Sequence, residues 1–113
     1  MGGEYTPMGN LMSEQFIEIE HPGIMLKENF LDDLQIAPGT FAKAIGVDRS
    51  AVKNIIDGKR AITAEMALRF GLFFGMSAGF WINLQKDFEL RTARRERLSE
   101  FEKIVKPYNA AHV

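Results

Sequence analysis

Four side chains within six residues, Arg49, Ser50, Lys53 and Asn54, have the chemistry to read a base-pair edge. Arginine and lysine donate to guanine O6 and N7, asparagine pairs with the adenine edge, and serine reaches a base or a phosphate. Val52, Ile55 and Ile56 take the inward side of a short helix, which leaves the four polar groups on its other side. Lys59 and Arg60 follow just past that helix, where a clamp on a phosphate backbone is useful, and Thr40 and Lys43 stand on the opposite flank. A helix N-terminus itself favours phosphate. Each residue taken alone is also an ordinary exposed polar side chain. As a constellation they are candidate DNA contacts: Arg49, Ser50, Lys53 and Asn54 to bases, Thr40, Lys43, Lys59 and Arg60 to phosphates.

The run from Thr40 to Arg60 supplies the frame these groups need. A short helix over about Pro38–Ile45, with Phe41, Ala44 and Ile45 inward, stops at Gly46. That glycine provides the left-handed backbone a Cβ would oppose. Val47 packs behind the turn, small Ala42 lets two helices approach closely, and Asp48 is placed to cap the helix that ends at Gly58. Two short helices joined at a tight glycine turn are the pattern of a helix-turn-helix, though a bare helical hairpin looks similar.

Three more helical segments complete an all-α reading with five in total. The first opens at Pro22, with Leu26, Phe30 and Leu34 at spacing four and Leu31 beside them. The fourth begins after Thr63, has Glu65 favourably set against the helix dipole, and carries Met66, Phe70, Phe73 and Phe74 inward up to Gly75. Gly71 inside it costs about 1 kcal/mol relative to alanine, which suggests close packing there. The fifth begins after Ser77, turns Phe80, Trp81, Leu84 and Phe88 inward, and continues through a charged stretch to about Val105. Strand signals are weak. The expected organisation is an acidic arm (1–20), a helix-turn-helix domain (21–90) and a charged helical extension with a frayed tail (91–113).

A chain of 113 residues, 46% apolar and 26% charged, is long enough for one folded domain and too apolar to be disordered. Cysteine is absent, which excludes disulfides, thiolate zinc sites and cysteine nucleophiles. His21 and His112 stand far apart, so a histidine metal cluster or catalytic triad is not expected. Glu28, Asp32 and Asp33 could form a metal or acid/base site, but no histidine or glycine-rich phosphate loop accompanies them, and a solvated acidic face is the better reading. The expectation is therefore no cofactor, no metal and no enzymatic activity. No apolar run could cross a bilayer, and the start lacks the basic and apolar regions of a signal peptide, which points to a cytoplasmic chain.

The net charge of -1 hides an uneven layout. Residues 1–33 carry a balance of -6, residues 41–70 of +3 and residues 86–106 of +2. A basic middle in a nearly neutral chain suits a local anionic partner, while the acidic first third could meet a basic protein. The nine phenylalanines and Trp81 could suggest an aromatic ligand box; their spacing of three and four makes core packing the better explanation. Phe74, Phe80 and Trp81 either form the seam of a homodimer or are all internal.

The sequence resembles the HigA-type antitoxins, the virulence-associated protein I branch of the lambda-repressor-like helix-turn-helix proteins. The resemblance covers about residues 21–90. It is carried by His21-Pro22-Gly23 with Leu26 and Phe30-Leu31, by the helix-turn-helix, and by Gly58-Lys59-Arg60-Ala61-Ile62-Thr63-Ala64. Ala67-Leu68-Arg69-Phe70 and Phe80-Trp81-Ile82-Asn83-Leu84-Gln85 extend it. It implies a five-helix lambda-repressor-like bundle, binding as a dimer to palindromic operator DNA, repression of its own operon and neutralisation of a HigB-type mRNA-cleaving toxin. The implied recognition residues are Arg49, Ser50, Lys53 and Asn54, with a capping turn at Lys59, Arg60 and Thr63. A solitary repressor without a toxin is the alternative. One departure stands out: Ala37 and Pro38 occupy the place where relatives usually put a polar cap and a glutamine-like phosphate holder.

Overall fold

The computed structural model describes residues 20–109. Among them five helices follow one another: α1 (Pro22–Met25, continued by a π-helical turn Leu26–Leu31), α2 (Pro38–Ile45), α3 (Arg49–Ile56), α4 (Ala64–Phe74) and α5 (Ala78–Ile104). The expected arm lies outside the described residues apart from Glu20, and the tail is described only as far as Asn109. The expected boundary between 90 and 91 falls inside the continuous α5.

The helix ends follow local chemistry. Thr63 Oγ1 accepts from the Met66 N–H at 3.3 Å, and Ser77 Oγ accepts from the Gly79 N–H at 2.9 Å. These bonds satisfy amides that the first turn of a helix leaves unpaired. Asp48 takes the cap position before α3, but its side chain makes no capping hydrogen bond, contrary to expectation. Gly46 closes α2 at φ 76°, and the Val47 N–H returns to the Ala42 carbonyl at 3.0 Å.

α1 departs from the expected register. Over Leu26–Leu31 the backbone bonds reach five residues back, as in the Asp32 N–H to Lys27 carbonyl bond of 2.8 Å. A turn widened in this way sets Leu26 and Leu31, five apart, into the core, and rotates Leu34 out to 55% exposure. The same widening brings Lys27 to Asp32, Nζ to Oδ1 2.6 Å, as one pair on the solvated acidic face. Ala44, expected inward, is exposed on α2 as well, and Ile56 is only half-buried.

Trp81 is the hub of the core. It is fully buried, with Phe30, Phe70 and Phe80 rings 4.9, 5.1 and 5.1 Å from it, centroid to centroid. Phe41 and Phe74 stack at 5.4 Å and join this cluster to α2. The aromatic residues gathered around Trp81 are thus core packing. Trp81 has no surface to offer a second protein, which corrects its place in an expected dimer seam. Phe73 and Phe80 are exposed at the edge of the cluster, and Phe74 is half-buried. Gly71 is needed where α4 meets the chain entering α5: a Cβ there would lie 2.6 Å from the Met76 carbonyl oxygen.

Candidate nucleic-acid interface

α3 is eight residues long, too short to hold its shape alone. Its buried side, Ala51, Val52 and Ile55, ties it to the core. Its far end is met by α1: a Cβ on Gly23 would sit 1.8 Å from the Ile55 carbonyl oxygen, so the first turn of α1 rests directly on α3 backbone. At the same end, the Lys59 N–H donates to the Asn54 carbonyl at 2.8 Å and the Gly58 N–H to that of Ile55 at 3.1 Å. These bonds satisfy the last carbonyls of the helix and pin the start of the Lys59–Arg60 segment.

Two long-range bonds fix the flanks. Arg69 Nη1 on α4 donates to the Ile45 carbonyl oxygen at 2.6 Å. A cation at the C-terminal end of α2 complements the helix dipole there and steadies the turn. Buried Gln85 on α5 accepts from the Ile62 N–H at 2.8 Å and donates through Nε2 to Glu89 at 2.9 Å. The Gln85 hydrogen bond holds the Glu89 carboxyl below its usual range. His21 Nδ1 accepts from the Gly23 N–H at 2.9 Å and caps α1, while its ring meets Phe88 edge-on at 5.0 Å.

On this frame Arg49, Ser50, Lys53 and Asn54 are all exposed, as are Thr40, Lys43, Lys59 and Arg60. The structure divides them into two groups. Thr40, Lys43 and Arg49 line one shallow groove with Ala37, Gly39, Val47 and Asp48. Arg49 lies over the start of α2, close enough that a Cβ on Gly39 would stand 3.3 Å from its Nε. Lys53 instead pairs with Asp57, Nζ to Oδ2 2.8 Å, and keeps most of its side chain in solvent. The Lys53 hydrogen bond, helped by the charges of Lys53 and Lys59, holds the Asp57 carboxyl below its ordinary value. Gly39, Asp57 and the contact made by Gly23 were not singled out by sequence reasoning, and Arg69 and Gln85 entered only as parts of motifs.

A short polar helix displayed after a glycine turn, with basic residues on both flanks, defines a helix-turn-helix protein of the DNA-binding class. The chain matches no protein-family model. Virulence-associated protein I of Dichelobacter nodosus is 35% identical over 79 residues, which cover 70% of this chain and 73% of that protein. Antitoxin HigA-1 of Vibrio cholerae is 38% identical over 85 residues, 75% of this chain and 79% of that protein. The structure of the Pseudomonas aeruginosa antitoxin HigA with the higBA promoter superposes with a TM-score of 0.78 at 36% identity, covering 81% of this chain and 100% of that one. The chain belongs to the HigA family of helix-turn-helix antitoxins.

Proposed function

We propose that the chain is an antitoxin that binds its operator as a homodimer, represses its own operon and neutralises a HigB-type mRNA-cleaving toxin. The observation that carries the DNA reading is the display of Arg49, Ser50, Lys53 and Asn54, all in solvent, on a helix whose C-terminal end is held by Gly23 and Lys59. The P. aeruginosa relative was solved with promoter DNA. In this reading α3 enters the major groove. Asn54 takes an adenine edge, and Lys53 exchanges its surface pairing with Asp57 for guanine. Arg49, expected at a base edge, shares the groove at the bare start of α2 with Thr40 and Lys43 and in this reading grips a phosphate with them instead, in place of the missing glutamine-like holder. Lys59 and Arg60 hold the backbone on the other side.

The seam of the dimer lies at α4 and the start of α5. Leu68 and Leu72 stand one turn apart on α4 at 59% and 85% exposure, beside a hollow lined also by Met76 and Ala78. With Phe80 they take the place expected of Trp81. Two copies joined there set their α3 helices about 34 Å apart, one turn of DNA. No helix among the described residues is long and apolar enough to cross a membrane.

Titration of the chain's own promoter DNA at two salt concentrations tests the reading. Affinity falls steeply as salt rises, because phosphate contacts release counterions. Asn54→Ala and Lys53→Ala each cost about 1–3 kcal/mol of binding, and Lys86→Ala costs nothing measurable. Binding indifferent to salt and to both substitutions would remove α3 from the interface.

A further inference from the structure

Asp57, the residue that closes α3, stands in the midst of the polar groups that α3 displays. At about 100° per residue, Arg49, Lys53, Asp57, Ser50 and Asn54 follow one another in that order around one side of the helix. Helix stability does not account for a carboxylate there. It lies at the C-terminal end, where the dipole favours a cation. Its contact with Lys53 is an exposed pair four residues apart, base before acid, which is the weaker order and contributes little. On a face that meets DNA, a negative charge also repels every phosphate it approaches.

The pair does have the geometry of a base edge. Lys53 Nζ and Asp57 Oδ2 are 2.8 Å apart. In a G·C pair, guanine O6 and cytosine N4 share a hydrogen bond and stand about 2.9 Å apart, side by side in the major groove. O6 accepts and N4 donates, so an ammonium beside a carboxylate meets them in complementary order, and guanine N7 offers the ammonium a second acceptor. A reversed C·G pair puts the amino group under the ammonium and the carbonyl under the carboxylate. A T·A pair keeps the order but places a methyl group beside the ammonium and adenine N7 beside the carboxylate. The Lys53 hydrogen bond and the charges of Lys53 and Lys59 hold the Asp57 carboxyl below its ordinary value, which keeps it an acceptor at neutral pH.

We infer, on the DNA reading of α3 given above, that Asp57 is a specificity-determining residue, its carboxylate accepting from the cytosine N4 amino group of the base pair whose guanine takes Lys53. As Lys53 turns an N–H from Asp57 to guanine, the freed carboxylate takes the neighbouring amino group, so the exchange leaves neither charge without a partner. At other base pairs the carboxylate faces an acceptor or stays on Lys53, and the lysine is withheld. Discrimination then comes as much from what Asp57 repels as from what Lys53 attracts.

The test reverses each G·C pair of the chain's own promoter site in turn to C·G. Each duplex is titrated at one salt concentration with the full parent chain, Asp57→Asn and Lys53→Ala. Reversal at one position weakens the parent about tenfold. For Asp57→Asn, whose amide donates as well as accepts, the same reversal costs less than about threefold, and Lys53→Ala loses discrimination at that same position. Asp57→Ser, shorter and equally uncharged, gives the same relief and replaces Asp57→Asn if circular dichroism melts show the latter unfolded. An Asp57→Asn chain that binds every duplex tighter by one factor assigns Asp57 to general repulsion and overturns the inference. Relief at a different base pair from that of Lys53→Ala, or no relief at all, overturns it too. A parent chain that binds no duplex in a salt-dependent way is a distinct failure, which takes α3 off DNA and the inference with it.

Discussion

α3 and the second half of α5 both expose rows of polar side chains, and they are held by opposite means. α3 is short and pinned from the core and at its C-terminal end: Val52 and Ile55 are fully buried, Gly23 bears on the Ile55 carbonyl, and Gln85 anchors the segment after it. The outer part of α5 depends on local pairs, such as Arg97 with Glu100 at 2.7 Å and Arg97 over the Phe101 ring at 4.7 Å. Exposed pairs of this kind contribute a few tenths of a kcal/mol each. The contrast shows what display requires. A helix that must present four groups in fixed relation needs its backbone determined from the core. A helix that only has to project can rely on its own periodicity.

The contrast can be broken first at Gly23. Gly23→Ala drives a methyl group into the Ile55 carbonyl, where neither partner is a flexible side chain, and destabilises the chain by about 3 kcal/mol. Urea unfolding reads this loss; an unchanged midpoint would mean that α1 does not brace α3. A matched pair sharpens the comparison. Gln85→Ala strands the buried Ile62 N–H and costs about 2 kcal/mol, while Arg97→Ala on outer α5 costs about 0.5 kcal/mol or less. Equal losses would mean that outer α5 is packed as firmly as the frame of α3.

The smallest effect concerns acidity. Burial lowers the His21 pKa below the ordinary 6.5, so the unfolded chain takes up the proton first. The contribution of His21 is complete above pH 6.5 and is lost as pH falls below that value towards the folded pKa. Protonation also removes the Nδ1 lone pair that accepts from the Gly23 N–H. His21→Gln flattens this part of the pH-stability profile, measured by thermal melts between pH 5 and 8, a range spanning the ordinary histidine pKa of about 6.5.

Much of this architecture was legible in the residues themselves. Pro22, Gly46, Gly58, Thr63, Gly75 and Ser77 mark helix ends by backbone and capping chemistry that acts within a few residues. The polar face of α3 followed from where Val52 and Ile55 had to point. What escaped were contacts between residues distant in the chain. Arg69 reaches back 24 positions to Ile45 and Gln85 reaches 23 to Ile62, and neither leaves a periodic trace. Leu34 was misplaced because its spacing of four presumed an ordinary turn where the backbone is wider. Trp81 was offered to a partner because periodicity tells an inward side from an outward one, but not how deep the inward side lies.

The wide turn in α1 also acts as a spacer. Removing one residue from 26–31 would return the helix to ordinary pitch, yet turn its N-terminal end by about 100° relative to its C-terminal end. Gly23 would swing away from the Ile55 carbonyl while Leu31 stayed seated. The surplus residue keeps the two ends of α1 in phase, so that one anchors in the core while the other steadies the rod it leans on.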